Sequence, residues 1–274
     1  MEETDSSQQF KPDRPPLKVK NLTPETSELL HGPYSVWSFK QTGGKHVDSE
    51  LPSQDALDIY YDKVKKFLIV SVADGLSTCP TSDKGAEILV KVAQKHLAEN
   101  IDDIKSKLSP KENKSEDEVA AEKIFIDDTI ILPLADKWIE QIKKAGLSIA
   151  DSQATYAFTV FADGISYYFT LGDILTAALQ PNGEAEFYSQ ISPDDKSPTI
   201  ASPIVDILTK YTVKPFHGAA FVGTDGVVEM HKTEKEQFLL KILQSKNQAE
   251  YNAHLHEPSV DDKSGALITN SGVI

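Results

Sequence analysis

Cysteine is nearly absent from this chain: Cys79 is the only one in 274 residues. A lone thiol forms no intrachain disulfide and builds no multi-thiolate metal site. Long apolar runs are missing too, and none approaches the roughly 20 residues needed to cross a bilayer. The opening MEETDSSQQF lacks the basic, then apolar, pattern of an export signal. These absences lead to the expectation of a cytoplasmic protein with no membrane partner. Basic charge is also scarce, with 28 Lys and Arg against 42 Asp and Glu and a formal net charge of −14. Broad nucleic-acid binding needs the opposite balance, because it displaces counterions from phosphates, so no nucleic-acid partner is expected. What is present is 39% hydrophobic and 26% charged residues, the composition of a globular chain with a sizeable core.

Residues 1–32 are rich in Pro, Ser, Glu and Lys without helical or strand period, and read as a flexible N-terminal extension. Residues 33–274 read as a single domain, within which the polar run 105–123 is a solvated connection or helix end. Val36, Trp37 and Phe39 mark a first strand. The runs ALDIYY and KFLIVSVA flank Asp62-Lys63 as a hairpin. Ser82 or Asp83 would cap a helix carrying Ala86, Leu89, Ala93, Leu97, Ile101 and Ile104 at helical spacing. A second helix carries Leu134, Trp138, Ile142 and Ala145 and stops at Gly146, with Pro133 in its first turn. Beyond residue 153 strands return, with Asp163-Gly164 and Asn182-Gly183 as two-residue hairpin turns. HGAAFVG, a short helix over 233–245 and SGALIT complete the chain. Hairpins, paired helices and then a meander predict an α+β fold of antiparallel sheets with segregated helices.

The carboxylates draw the eye next. With the hairpin turning near residues 64 and 65, Asp55 and Asp74 face one another at its open end, with Cβ atoms ~5 Å apart. Two such charges repel by roughly 4 kcal/mol at 4 Å and an effective dielectric of 20. A proton, a basic side chain or a cation must offset that, and a metal is the economical choice. Asp225 follows the strand AAFVGT, Asp261-Asp262 precedes GALIT, and Asp173 ends YYFTLG. Taken singly, an Asp at a strand end is more often a turn residue; repeated, the pattern describes a cluster at one rim. All-oxygen sets suit Mg²⁺ or Mn²⁺ rather than zinc, and a pair of such ions serves hydrolysis of a phosphate ester.

Five ordered segments, SQDA (53–56), VADG (72–75), LGD (171–173), GTDGVVE (223–229) and DDKS (261–264), resemble the metal-dependent protein Ser/Thr phosphatases, the PPM or type-2C family. HVDSELPSQDA and VADGLSTCPTSDKGAEILVKVA look like its bacterial branch. The resemblance implies a four-layer α-β-β-α sandwich, two antiparallel sheets flanked by helix pairs. It implies two Mg²⁺ or Mn²⁺ ions with room for a third, a phosphorylated protein as substrate, and a cognate Ser/Thr kinase as partner. By the same resemblance Asp74 would bridge both metals, the Gly75 carbonyl would assist one, and Asp225 and Asp261 would complete the other. Asp55 would hold a water on the metals, and Asp173 with Glu229 would form a weaker third site.

Three positions depart from the pattern. Gln54 stands where many members have Glu, Glu50 where many have a phosphate-gripping Arg, and Leu76 where some have His. His46 is a candidate substrate-binding donor in their place. The alternative reading is a catalytically weak, phosphatase-like binding or regulatory module. The haloacid-dehalogenase pattern fails, because Val72 and Gly223 occupy the positions of its nucleophilic Asp. Cys79 has no activating base nearby in sequence, and His254 and His256 read as surface histidines rather than a zinc pair.

Overall fold

The computed structural model describes residues 25–189, 198–231, 234–256 and 259–270. Most of the expected extension, residues 1–24, lies outside them.

The run 67–73 is apolar but for the buried Ser71 because its strand is covered on both faces. In β4 (Phe67–Gly75), Leu68, Val70 and Val72 enter the core between two sheets, whereas Phe67, Ile69 and Ala73 face helices. β4 pairs with β3 (Asp55–Asp62) and continues through β5 (Ala154–Ala162), β6 (Ile165–Leu171) and β9 (Lys210–Pro215) as a five-stranded sheet in the order β3-β4-β5-β6-β9. The second sheet has six strands in the order β1-β2-β11-β10-β7-β8. Its members are β1 (Glu25–His31), β2 (Tyr34–Gln41), β7 (Leu175–Leu179), β8 (Ala185–Phe187), β10 (Ala219–Gly223) and β11 (Lys263–Asn270). All the recorded pairings are antiparallel.

Helices cover the outer faces. α2 (Ser82–Glu99) and α5 (Leu132–Lys144) set Ala86, Leu89, Leu97, Leu134, Trp138 and Ile142 against the five-stranded sheet. α7 (Lys235–Leu243) and α8 (Gln248–Leu255) set Phe238, Ile242, Tyr251 and Leu255 against the other. The expected layering, helix, sheet, sheet and helix, is therefore observed. Shorter helices are α1 (Gly44–Asp48), α3 (Ile101–Lys107), α4 (Glu116–Phe125) and α6 (Val205–Leu208).

Several local expectations are corrected. Residues 25–31 are not part of a flexible extension but an edge strand, matched to β2 in full register, with Trp37 Nε1 donating to Glu28 at 3.0 Å. Thr81, not Ser82 or Asp83, precedes α2, and it makes no side-chain cap bond. The helix expected to run through residue 104 breaks at Asn100, whose amide donates to the His96 carbonyl at 2.8 Å. More than half of the polar run 105–123 is helical: it opens on the end of α3, and Ser115 and Glu118 form a reciprocal capping box at the start of α4. A π-helical turn (Ile126–Ile131) joins α4 to α5, so Pro133 sits just past an irregular turn rather than at a free helix start. Asp163-Gly164 is the expected turn, with φ of 52° and 76°. At the second hairpin only Gly183 has positive φ, 83°, and its N–H donates to Gln180 at 2.9 Å, closing a longer loop than the two-residue turn expected.

Candidate functional site

Asp55 and Asp74 are direct partners in the β3–β4 register. Gly75 follows because nothing larger fits: a Cβ there would lie 2.8 Å from the backbone of Ser82, so β4 ends against the first turn of α2. Its N–H donates to the Gln54 carbonyl at 3.1 Å. Asp225 begins a 3₁₀ turn just after β10, and Asp261-Asp262 lies just before β11, β10's antiparallel neighbour. Adjacent antiparallel strands bring these two loops to one edge. Asp173 lies two residues beyond β6.

Two residues whose roles the sequence did not reveal hold this rim together. The buried Thr224 hydroxyl accepts the Ser264 N–H at 3.0 Å and donates to Asp55 Oδ2 at 2.7 Å, so its single proton is committed to Asp55. Asp262 accepts Gly43 N–H at 2.7 Å on Oδ1, and both Gln54 N–H at 2.6 Å and His46 Nδ1 at 2.8 Å on Oδ2. The segment 43–46 and Gln54, just before β3, thereby meet on one carboxylate more than 200 residues away in sequence. Gly226 completes the packing, since a Cβ there would stand 1.9 Å from the Asp262 carbonyl oxygen. Nothing in the sequence separated Asp262 from Asp261, because only the partners distinguish them.

The electrostatics follow from placing acids together at a partly enclosed rim, where Asp55 and Asp262 are buried and Asp74, Asp173, Asp225 and Asp261 are half-buried. Burial, then the charges of Asp262, Asp225 and Asp261, push Asp55 well above the ordinary carboxylate range, with the Thr224 bond opposing. Burial and then Asp55, Asp225, Asp173 and Asp261 do the same to Asp74. Asp225 is pushed up to about 7 by burial and the charges of Asp173, Asp261 and Glu229. Burial also raises Asp261, against the N–H of Asp262. The acids expected at strand ends thus lie within electrostatic reach of one another.

The donor set fits a hard cation in its chemistry: all the candidate ligands are oxygens. Asp55 Oδ1 is buried with no hydrogen-bond partner, as expected of an atom reserved for a ligand or its water. The spacing is looser than a closed shell, for among the described residues no three His, Cys, Asp or Glu side chains are grouped closely enough to hold one ion as they stand. Glu229 is partly committed already, its Oε2 accepting Ser259 Oγ at 2.7 Å and Asp261 N–H at 3.1 Å. Gln54 uses its amide nitrogen to reach Ser82 Oγ at 2.8 Å, tying β3 to α2. His46 does not offer a donor to substrate: it is 3% exposed and its ring is bonded to Asp262, anchoring α1 on the 259–262 loop. Glu50 is exposed with φ of 56°. Cys79 is buried with Sγ 3.3 Å from the Ala150 carbonyl, the environment of a structural thiol.

The two-sheet sandwich is shared with proteins of known structure, among them the serine/threonine phosphatase Stp1 from Staphylococcus aureus. PppA, a key regulatory component of the T6SS in Pseudomonas aeruginosa, superposes with a TM-score of 0.56 at 12% identity over 89% of this chain and 99% of that one. Stp1 from Staphylococcus aureus gives 0.53 at 13% identity over 85% and 94%. RsbX, solved in complex with magnesium, gives 0.50 at 13% over 89% and 99%. At such identities the likeness is one of fold. The sequence profile described as Protein phosphatase 2C matches residues 42–257, and the chain belongs to that family. No curated protein sequence matches it. Among the described residues no helix is long and apolar enough to cross a membrane.

Proposed function

We propose that this chain is a Mg²⁺- or Mn²⁺-dependent phosphatase that hydrolyses phosphoserine and phosphothreonine on proteins. The observation that carries this reading is the direct pairing of buried Asp55 with half-buried Asp74, two acids whose closeness is costly unless a cation or proton is shared between them. When bound, such ions would lower the pKa of a water and offset charge developing on the phosphoryl oxygens. Asp74 would reach both ions. Asp225, Asp261 and the Gly75 carbonyl would complete their protein ligands, with Asp173 and Glu229 as a weaker third set. Asp55 has one oxygen fixed by Thr224, so Oδ1 is left to orient the attacking water. The partners on this reading are a phosphorylated protein and a cognate Ser/Thr kinase.

Hydrolysis of a phosphothreonine peptide is expected to require added Mn²⁺ or Mg²⁺ and to vanish in Asp74→Asn. Turnover in the presence of a chelator would overturn the reading. A second reading, a phosphatase-like binding or regulatory module, is favoured by Glu50 and by Gln54, a neutral side chain already engaged by Ser82. Metal binding by calorimetry without turnover would select it. Metal affinity unchanged in both Asp74→Asn and Asp225→Asn would remove the site assignment altogether.

A further inference from the structure

A phosphate dianion approaching this rim meets the summed repulsion of its carboxylates. Arginine is the usual answer, since its planar fork matches phosphate geometry. The chain has a single arginine, Arg14, outside the described residues. Within the described residues the cationic side chains that could assist the ions are those of lysine and histidine, and His46 is buried on Asp262.

One exposed lysine stands at the rim. The backbone N–H of Lys45 donates at 3.1 Å to the carbonyl of Val260, the residue before Asp261. Its neighbours fix the segment further: Gly44 N–H donates to Ser259 at 3.0 Å, while Gly43 N–H and the His46 ring bond the Asp262 carboxylate. Lys45 is thus the exposed residue of a segment pinned on both sides to the loop that carries Asp261. Among the charges that act most strongly on Asp55, Asp74, Asp225 and Asp261, it is the only positive one, and it acts on Asp261.

We propose that Lys45 is the residue that captures the substrate phosphate, its ammonium donating to the non-bridging oxygens of a phosphomonoester beside Asp261. The proposal rests on the phosphatase reading above. Lysine acts as a compact charge on a flexible stem rather than as a fork, so the charge and its place matter more than its shape.

The test uses the full chain saturated with Mn²⁺ and a phosphothreonine peptide. Lys45→Ala is expected to raise KM about fivefold, the scale of one exposed charge pair, with kcat little changed, and Lys45→Arg to restore KM. Inorganic phosphate binding by calorimetry should weaken by a similar factor, while Mn²⁺ affinity holds or tightens as a positive charge leaves Asp261. Arg14→Ala should leave KM alone. An unchanged KM in Lys45→Ala, or a raised KM in Arg14→Ala instead, overturns the proposal and leaves the phosphatase reading standing. A wild-type chain without turnover overturns the phosphatase reading; phosphate binding that still depends on Lys45 would then support the capture role, and binding indifferent to it would overturn that too.

Discussion

Thr224 shows how much of the rim hangs on a single hydroxyl. It satisfies one buried N–H and donates to one buried carboxylate, so removing it leaves both Ser264 N–H and Asp55 Oδ2 short of a partner. Thr224→Val is expected to cost about 1–3 kcal/mol, the penalty of an unsatisfied buried polar group, read as a lower Tm in the metal-free protein. Thr224→Ser, which keeps the hydroxyl, should recover most of it; equal loss in both variants would refute the hydrogen-bond account. Asp225 gives a pH signature of defined sign. Its folded pKa of about 7 lies above its ordinary value of 3.8, so its contribution to stability is full below pH 3.8 and is lost as pH rises through about 7. Across that window the metal-free protein should lose Tm relative to Asp225→Asn, while Mn²⁺ affinity rises as the competing proton leaves. Parallel Tm curves for the two proteins would show that Asp225 is not the group responsible.

At the level of elements, the π-helical turn depends on a histidine from a neighbouring helix. His96 Nε2 lies 3.0 Å from both the Thr129 and Ile130 carbonyls, and Nδ1 is 2.9 Å from Lys137 Nζ. An ammonium can only donate, so Nδ1 accepts and the neutral ring is the form that fits. Burial and then the Lys137 charge lower its pKa, so this stabilisation is present above the ordinary value of 6.5 and is lost as pH falls through the folded value. His96→Leu should destabilise the chain by about 1–3 kcal/mol at pH 8 and flatten the decline in Tm below pH 6.5; a decline as steep as the wild type would dismiss the role. None of this was legible in advance, because a π turn has no hydrophobic period of its own and His96 sits on a polar stretch of α2. The β3–β4 hairpin was legible to the residue. Two strong apolar runs and one short turn leave few registers, and a slip by one would turn Val70 and Val72 out of the inter-sheet core. β1 and β9 were missed for the opposite reason: as edge strands they are largely exposed or half-buried and carry little alternation. At the site, the acids could be read from strand ends, but the anchoring roles of Thr224 and Asp262 could not, since hydrogen bonds across more than 160 residues leave no local pattern.

For the whole molecule, the carboxylate rim and the net charge of −14 act in the same direction. A metal-free chain carries its repulsion both locally, at buried acids, and globally, over an acidic surface. Binding of a divalent cation to the folded form alone should raise stability by about 2.7 kcal/mol at a hundredfold excess over Kd, roughly 5–10 °C in Tm for a chain of this size. The gain should be reversed by a chelator and sharply reduced in Asp74→Asn. Its dependence on salt separates the two sources of attraction. Contact ligands at a buried rim are screened little, whereas the acidic surface is screened within a Debye length of about 8 Å at physiological ionic strength. Raising NaCl from 50 to 500 mM should therefore lower Mn²⁺ affinity, and with it the Tm gain at a fixed Mn²⁺ concentration, only in part. If salt abolished the gain, or Asp74→Asn kept it whole, the ion would be held by the diffuse surface charge, and the rim would be a set of strand-end turns after all.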